Sequence, residues 1–298
     1  MKETILKTGT GKILSKISEY FELIKFEHTI FALPFALSGM LLASPESFPK
    51  LMTVIWVLLA MVGGRTAAMS LNRAIDAEID RKNPRTSNRA IPAGRIKKGS
   101  ALILAFLAFG LLIFATWQLP LICIQLLPLA ILILGLYSYT KRFTYLSHFV
   151  LGGALGAAAA GGWLAVSGEI TFPVILWGLA IVFWVAGFDV IYALQDIDFD
   201  REHNLFSIPA WLGVGRSLLL SRMFHLITVV FLIVLGIMIK TGLYYWIGII
   251  FASLLLTYEH SLLKENDLTK LNMAFFNING YISIGIFFFI LLDKLFGT

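Results

Sequence analysis

Four aspartates stand in two identically spaced pairs in this 298-residue chain, Asp76 with Asp80 and Asp196 with Asp200. Residues four apart share one face of a helix, so each pair would aim two carboxylates in one direction. Like charges placed that way repel, and a cation relieves them. Oxygen-only ligands in this number suit Mg2+, which keeps its waters and is shared between one or two carboxylates and substrate phosphates. The histidines His28, His148, His203, His225 and His260 are scattered, which offers no zinc spacing. The lone Cys123 lies in an apolar run and can form no internal disulfide.

Basic residues stand beside the acids. Arg73, Arg81, Lys82, Arg85 and Arg89 flank the first pair, Lys141 and Arg142 follow later, and Arg201 accompanies the second pair. Carboxylates for a metal, with Arg and Lys for oxyanions, compose a diphosphate site. The alternative is that these are solvated loop charges paired with one another, the arginines merely fixing topology. Asp189 and Arg65 fall within or at the end of apolar segments, where a charge is expensive and faces a cavity or a partner unless it snorkels to the surface.

The elements that must position these groups are membrane helices. Hydrophobic residues make up 58% of the chain, charged residues 14%, and mean hydropathy is +0.83. A soluble domain carries roughly 25% charged residues, so the composition excludes one. The apolar residues fall into nine expected spans, at about 29–44, 51–71, 100–118, 120–139, 147–167, 171–192, 217–239, 243–261 and 273–293. The connections on the N-terminal side hold 20 Lys and Arg, against three on the other side. By the positive-inside rule the N-terminus and both acidic loops are cytoplasmic and the C-terminus is outside, as in a bacterial-type inner membrane protein. The net charge of +6 therefore reports topology first and calls for no nucleic-acid partner.

Residues 1–28 hold five lysines and no apolar core, unlike a signal peptide. Ile13, Leu14, Ile17, Tyr20, Phe21 and Ile24 recur at helical spacing, which predicts an amphipathic cytoplasmic helix on the membrane surface ahead of a single transmembrane domain, 29–298. The run GGALGAAAAGG at 152–162 favours close helix packing over room for a lipid chain. Pro34, Pro128 and Pro173 are expected to start or kink spans. Asp76 and Asp196 are 120 residues apart, as are Asp80 and Asp200, which suggests two related halves.

The stretch from Asn72 through Asp76 to Asp80, followed by Arg85-Thr86 and Arg89, resembles the NxxxDxxxD and RTxxR motifs of the UbiA superfamily of intramembrane prenyltransferases. The stretch from Asp189 and Tyr192 to Asp196 and Asp200 resembles that family's second motif in its 4-hydroxybenzoate polyprenyltransferase form, and Tyr139-Thr140-Lys141-Arg142 resembles its aromatic-basic segment. The resemblance covers nearly the whole chain. It implies an all-α bundle of nine transmembrane helices with Asp-rich cytoplasmic loops. It also implies Mg2+ held by Asp76, Asp80, Asp196 and Asp200 on the diphosphate of a polyprenyl diphosphate, with Asn72 assisting. Lys141, Arg142, Arg85 and Arg89 are then candidates to neutralise the leaving group. Asp189, Tyr192 and Arg65 are candidates around a phenolic acceptor, Asp189 to orient or deprotonate it and Arg65 to hold its carboxylate. The implied acceptor is a hydroxylated aromatic acid of the 4-hydroxybenzoate type in quinone synthesis. The segment from Lys25 through His28 and Phe31 to Phe35 resembles a branch acting on 1,4-dihydroxy-6-naphthoate for menaquinone. An alternative of another class is an ion-coupled transporter, which would carry its carboxylates nearer the middle of the membrane.

Overall fold

The computed structural model describes residues 9–25, 29, 31–46 and 48–297. The expectations for 1–8, 26–28 (His28 included) and 30, and for the side chains of 9–15 (Ile13 and Leu14 included), fall outside the described residues. The chain is all-α: among the described residues the sole β pairing is an isolated bridge between Lys264 and Asp267.

A helix satisfies its own backbone groups, which is what a long apolar segment requires in lipid. Each of the nine expected segments accordingly carries one. After α1 (Gly9–Leu23) come α2 (Leu33–Ala43), α3 (Leu51–Ile75) and the short α4 (Ala77–Lys82). Then follow α5 (Lys98–Thr116), α6 (Leu121–Thr140), α7 (Ser147–Ser167) and α8 (Phe172–Ala193). A 3₁₀ turn (Leu194–Asp196) leads to α9 (Ile197–Glu202), and α10 (Ile208–Ile239), α11 (Leu243–Ser261) and α12 (Asn279–Phe296) complete the chain, a π-helical turn (Met273–Ile278) running into α12. Among the described residues seven helices are long and apolar enough to cross a membrane, α2 and α11 not among them, and α2 has only 11 residues.

Local chemistry sets many of the boundaries. Pro34, Pro173 and Pro209 sit in the first turns of α2, α8 and α10, where a missing N–H costs nothing, and Pro128 lies inside α6. Helix α10 starts nine residues before the expected span: Ser207 caps it, accepting from the Ala210 N–H, and Gly213 breaks it with φ 78°. Asp293 caps α11 from a distance, accepting from the N–H groups of Gly242 (2.9 Å) and Tyr245 (3.2 Å). On α1, Ile17, Tyr20 and Phe21 are exposed while Leu23 is buried.

Helix α8 is the central element. It packs between α7 and α10, α2 lies along α7, and α3 runs beside α5. Trp177, Ile181, Trp184 and Ile191 of α8 are fully buried, whereas α6 is the least enclosed of the apolar helices. Small residues permit the α7–α8 approach: a Cβ at Gly152 would stand 2.5 Å from the Val182 carbonyl oxygen, and one at Gly156 2.7 Å from that of Gly178. Close packing is therefore what one face of the 152–162 run provides. The next residue, Gly153, has nothing within 4 Å of such a Cβ.

This contrast yields a matched pair. Gly152→Ala should lower the melting temperature in detergent by roughly 3 °C or more, the cost of overpacking against a backbone oxygen. Gly153→Ala, one residue away on the open face, should leave it unchanged or slightly raised.

Candidate active site

Both acidic motifs are built the same way. Asp76 joins α3 to α4 with ψ near 1°, and Asp196 joins the end of α8 to α9 with ψ near 9°. The Asp76 and Asp80 N–H groups still bond the carbonyls four residues back, so Asn72, Asp76 and Asp80 stay on one helical stripe. On α8 and its continuation, Asp189, Tyr192, Asp196 and Asp200 share another, by their spacing of three, four and four. The 22 residues of α8 span about 33 Å, close to the thickness of a hydrocarbon core, and Asp196 and Asp200 follow its last residue.

The structure brings the two stripes together through basic side chains. Asp76, 2% exposed, accepts from Asn72 Nδ2 (3.0 Å) and pairs with Lys141 Nζ (2.8 Å) and Arg142 (3.3 Å). Arg142 also donates to the Ile75 carbonyl. Asn72 bonds Ser138 as well, which ties α3 to the end of α6. Asp80, 3% exposed, pairs with Arg89 (2.7 Å) and Arg73 (3.9 Å). Arg85 grips both oxygens of Asp196, Nε donating at 2.9 Å, and its third nitrogen donates to the Tyr192 hydroxyl at 2.8 Å. Asn83 Nδ2 donates to the same carboxylate at 2.9 Å, while its Oδ1 accepts the Arg85 N–H.

Burial acts on these charges and is outweighed at the Arg85 pair. It would lower the Arg85 pKa, but the hydrogen bonds and charge of Asp196, with Tyr192, raise it above the ordinary arginine value. It would likewise raise Asp196, but Arg85 and Asn83 hold that carboxyl below the usual carboxylate range. At Asp200 burial prevails. That carboxyl is pushed up to about 6, with Asp196 adding to the rise and Ser207 and Lys141 opposing it.

The remaining expected residues lie at different distances from this centre. Asp189 Oδ2 meets His148 Nδ1 at 2.7 Å. Tyr139 is exposed, and the Arg142 guanidinium lies 5.4 Å from the centre of its ring. Tyr137, two residues earlier, is the tyrosine within electrostatic range of Asp76, Asp189, Arg73 and Arg89. Arg65 donates to the backbone carbonyls of Ile24 and Lys25 just past α1, a favourable place for a cation. It stands about 16 Å along the helix axis from Asp76. Arg201 donates to the Ala210 carbonyl, and Arg81 pairs with Glu78 in solvent. His148, Asn83 and Tyr137 were not legible as site residues in the sequence: none belongs to the acid spacing, and the carboxylates they meet are 41 or more residues away.

Among the described residues no three of Asp, Glu, His and Cys converge as a ready metal cage. The donor set nevertheless fits Mg2+, which needs only one or two carboxylates when a diphosphate supplies further oxygens. Asp80 Oδ2 is buried and has no hydrogen-bond partner, so it offers an unused hard-oxygen lone pair.

The structure thus places paired carboxylates and bases at one end of a bundle of apolar helices. The UbiA prenyltransferase family matches residues 32–281. The chain is 31% identical to a 4-hydroxybenzoate octaprenyltransferase of Vesicomyosocius okutanii subsp. Calyptogena okutanii (strain HA), over 85% of this chain and 92% of that one. It is 29% identical to the 4-hydroxybenzoate octaprenyltransferase of Vibrio cholerae, over 93% and 98%. A UbiA homologue from Aeropyrum pernix K1 superposes with a TM-score of 0.81 at 34% identity, covering 90% of this chain and 98% of the other. A UbiA homologue from Archaeoglobus fulgidus, bound to GPP and Mg2+, shares the fold with a TM-score of 0.72 at 20% identity, over 92% and 99%. The chain belongs to the UbiA prenyltransferase family. It is an integral membrane enzyme, an aromatic prenyltransferase of the UbiA type, and the transporter alternative falls away.

Asp200 gives a pH-dependent expectation. Its folded pKa, raised to about 6 from 3.8, makes the folded state hold a proton that the unfolded chain releases. The stability this proton confers is complete below pH 3.8 and lost as pH rises through about 6. Asp200→Asn should therefore melt higher than the native chain at pH 7.5, with the gap narrowing as pH falls toward 4. Thermal denaturation in detergent across that range measures it.

Proposed function

We propose that this enzyme transfers a polyprenyl group from a polyprenyl diphosphate to the ring of a hydroxylated aromatic acid of the 4-hydroxybenzoate type, a step of quinone biosynthesis. The observation that carries the reading is the mouth of the bundle, where Lys141, Arg142, Arg85 and Arg89 sit directly on Asp76, Asp196 and Asp80. The names of the relatives in Vesicomyosocius and Vibrio supply the acceptor class.

Acids and bases here neutralise one another, so the site takes a multiply charged diphosphate only together with cations. Asp76, Asp80, Asp196 and Asp200 would hold Mg2+, which supplies charge neutralisation of the leaving diphosphate when bound. The four bases then exchange a carboxylate for diphosphate oxygens, one charge-assisted bond for another. The C–O bond breaks, diphosphate departs with the electron pair, and the bundle keeps water from the allylic cation. A ring carbon ortho to the acceptor hydroxyl bonds to that cation, and the ring proton leaves. Asp189 and Tyr192 stand on the acceptor side of the diphosphate site, and Arg65 is the candidate for a carboxylate deeper along α3.

The same reading assigns nine spans, with α2 and α11 crossing beside the other seven helices. It puts the N-terminus and both acidic loops on the cytoplasmic side of an inner-membrane-type bilayer, as the distribution of Lys and Arg supports. Helix α1, with its exposed Ile17, Tyr20 and Phe21, lies on that surface. Residues 29–298 act as a single domain.

Membranes containing the enzyme, given geranyl diphosphate, Mg2+ and either 4-hydroxybenzoate or 1,4-dihydroxy-6-naphthoate, test the proposal by mass spectrometry of the products. Prenylated 4-hydroxybenzoate is expected, lost with EDTA and reduced by about 100-fold or more in Asp76→Ala. Product from the naphthoate alone would move the enzyme to the menaquinone branch. Full activity of Asp76→Ala would overturn the metal assignment.

A further inference from the structure

Asp189 is held differently from three of the four acids of the two pairs. Asp76, Asp80 and Asp196 each have a Lys or Arg within 4.0 Å, whereas the partner of Asp189 is His148. The state of that imidazole follows from its other nitrogen. The Ile208 N–H, at the first turn of α10, points to His148 Nε2 at 3.3 Å, and a backbone N–H can only donate. Nε2 is therefore an acceptor and carries no proton, so the single proton of a neutral imidazole sits on Nδ1 and is donated to Asp189 Oδ2 at 2.7 Å. The ring is 3% exposed and locked between α8 and α10. The Asp189 side chain is 19% exposed, and its other oxygen has no hydrogen bond among the described residues.

We infer that His148 is a positioning residue for prenyl transfer, which fixes the Asp189 carboxylate with one oxygen tied down and the other turned to the hydroxyl of the aromatic acceptor. A lysine or arginine in its place would orient the carboxylate and also quench it, as the neighbouring pairs do. A neutral imidazole orients it and leaves its hydrogen-bond basicity in place. The α7–α8–α10 junction thereby sets the angle at which the acceptor ring is held. This rests on the reading that Asp189 faces the acceptor.

Two isosteres separate the contacts. In His148→Asn the amide nitrogen falls near the position of Nδ1 and still reaches Asp189, while the acceptor for Ile208 is lost. In His148→Gln the amide reaches the position of Nε2 and keeps Ile208, while the donor to Asp189 is lost. Each variant, with His148→Ala and the native chain, is assayed in nanodiscs with Mg2+, geranyl diphosphate and 4-hydroxybenzoate. The readouts are kcat, the KM for each substrate, acceptor-free release of diphosphate and melting temperature.

His148→Ala and His148→Gln should lose about 30-fold in kcat for transfer. Their KM for geranyl diphosphate and their acceptor-free diphosphate release should match the native values. His148→Asn should recover to within about fivefold despite a lower melting temperature. Native-like transfer by His148→Gln, or a loss in His148→Asn equal to that in His148→Ala, would overturn the inference and leave His148 as a cap for α10. Absence of transfer by the native chain would overturn the acceptor reading and this inference with it. Native transfer with altered variants that fail the pattern would overturn this inference alone.

Discussion

A carboxylate buried at the end of an apolar bundle must have a cation or a dense set of donors, and the architecture of this enzyme's mouth follows from that requirement. Asp76 and Asp80 are nearly inaccessible to solvent, yet each has a basic partner within 2.8 Å. The pair between Arg85 and Asp196 goes further, because it joins the loop after α4 to the end of α8, 111 residues away. The bidentate grip, reinforced by Asn83 and Tyr192, binds the two acidic motifs into one site. The bases on these acids keep part of their surface in solvent, from 23% at Arg89 to 37% at Arg142, while the acids they hold are more enclosed.

The scaffold serves this centre by holding α8 rigid. Its buried face carries Trp177, Trp184 and Phe188, and a chain of edge-on and tilted ring contacts continues from Phe188 through Phe275 of the π-helical turn to Tyr192, whose ring centre is 4.2 Å from that of Phe275. Glu259 and Asn279, both fully buried and bonded at 3.0 Å, pin the start of α12 just beyond that turn. Rigidity on this side contrasts with the loosely enclosed α6 and with the open side of α7 at Gly153. An apolar tail needs space of that kind, whereas a reacting diphosphate needs fixed dipoles.

Much of this could be read in the sequence, for physical reasons that differ by element. Long apolar runs between charged loops can hardly be anything other than membrane helices, so their helical bounds lie within a few residues of expectation at α3, α6, α7, α8 and α11. The start of α10 was missed because Ser207 and Pro209, ordinary helix-start signals, precede the expected apolar span by more than two turns. The acid pairs were visible because a four-residue spacing is local. The Arg85–Asp196 bond, the His148–Asp189 bond and the contact of Arg65 with the end of α1 are set by tertiary approach and leave no local pattern. The choice of Tyr137 over Tyr139 as the ring near the acids depends on the phase of the last turn of α6, which composition cannot fix.

The exchange of partners at the mouth is the central claim, and one structure tests it most directly. The enzyme would be solved in nanodiscs with Mg2+ and a non-hydrolysable thio analogue of geranyl diphosphate. The account predicts that Arg85 and Lys141 leave Asp196 and Asp76 for diphosphate oxygens, with metal density on the freed carboxylates. An intact Arg85–Asp196 pair beside a diphosphate bound elsewhere would contradict it.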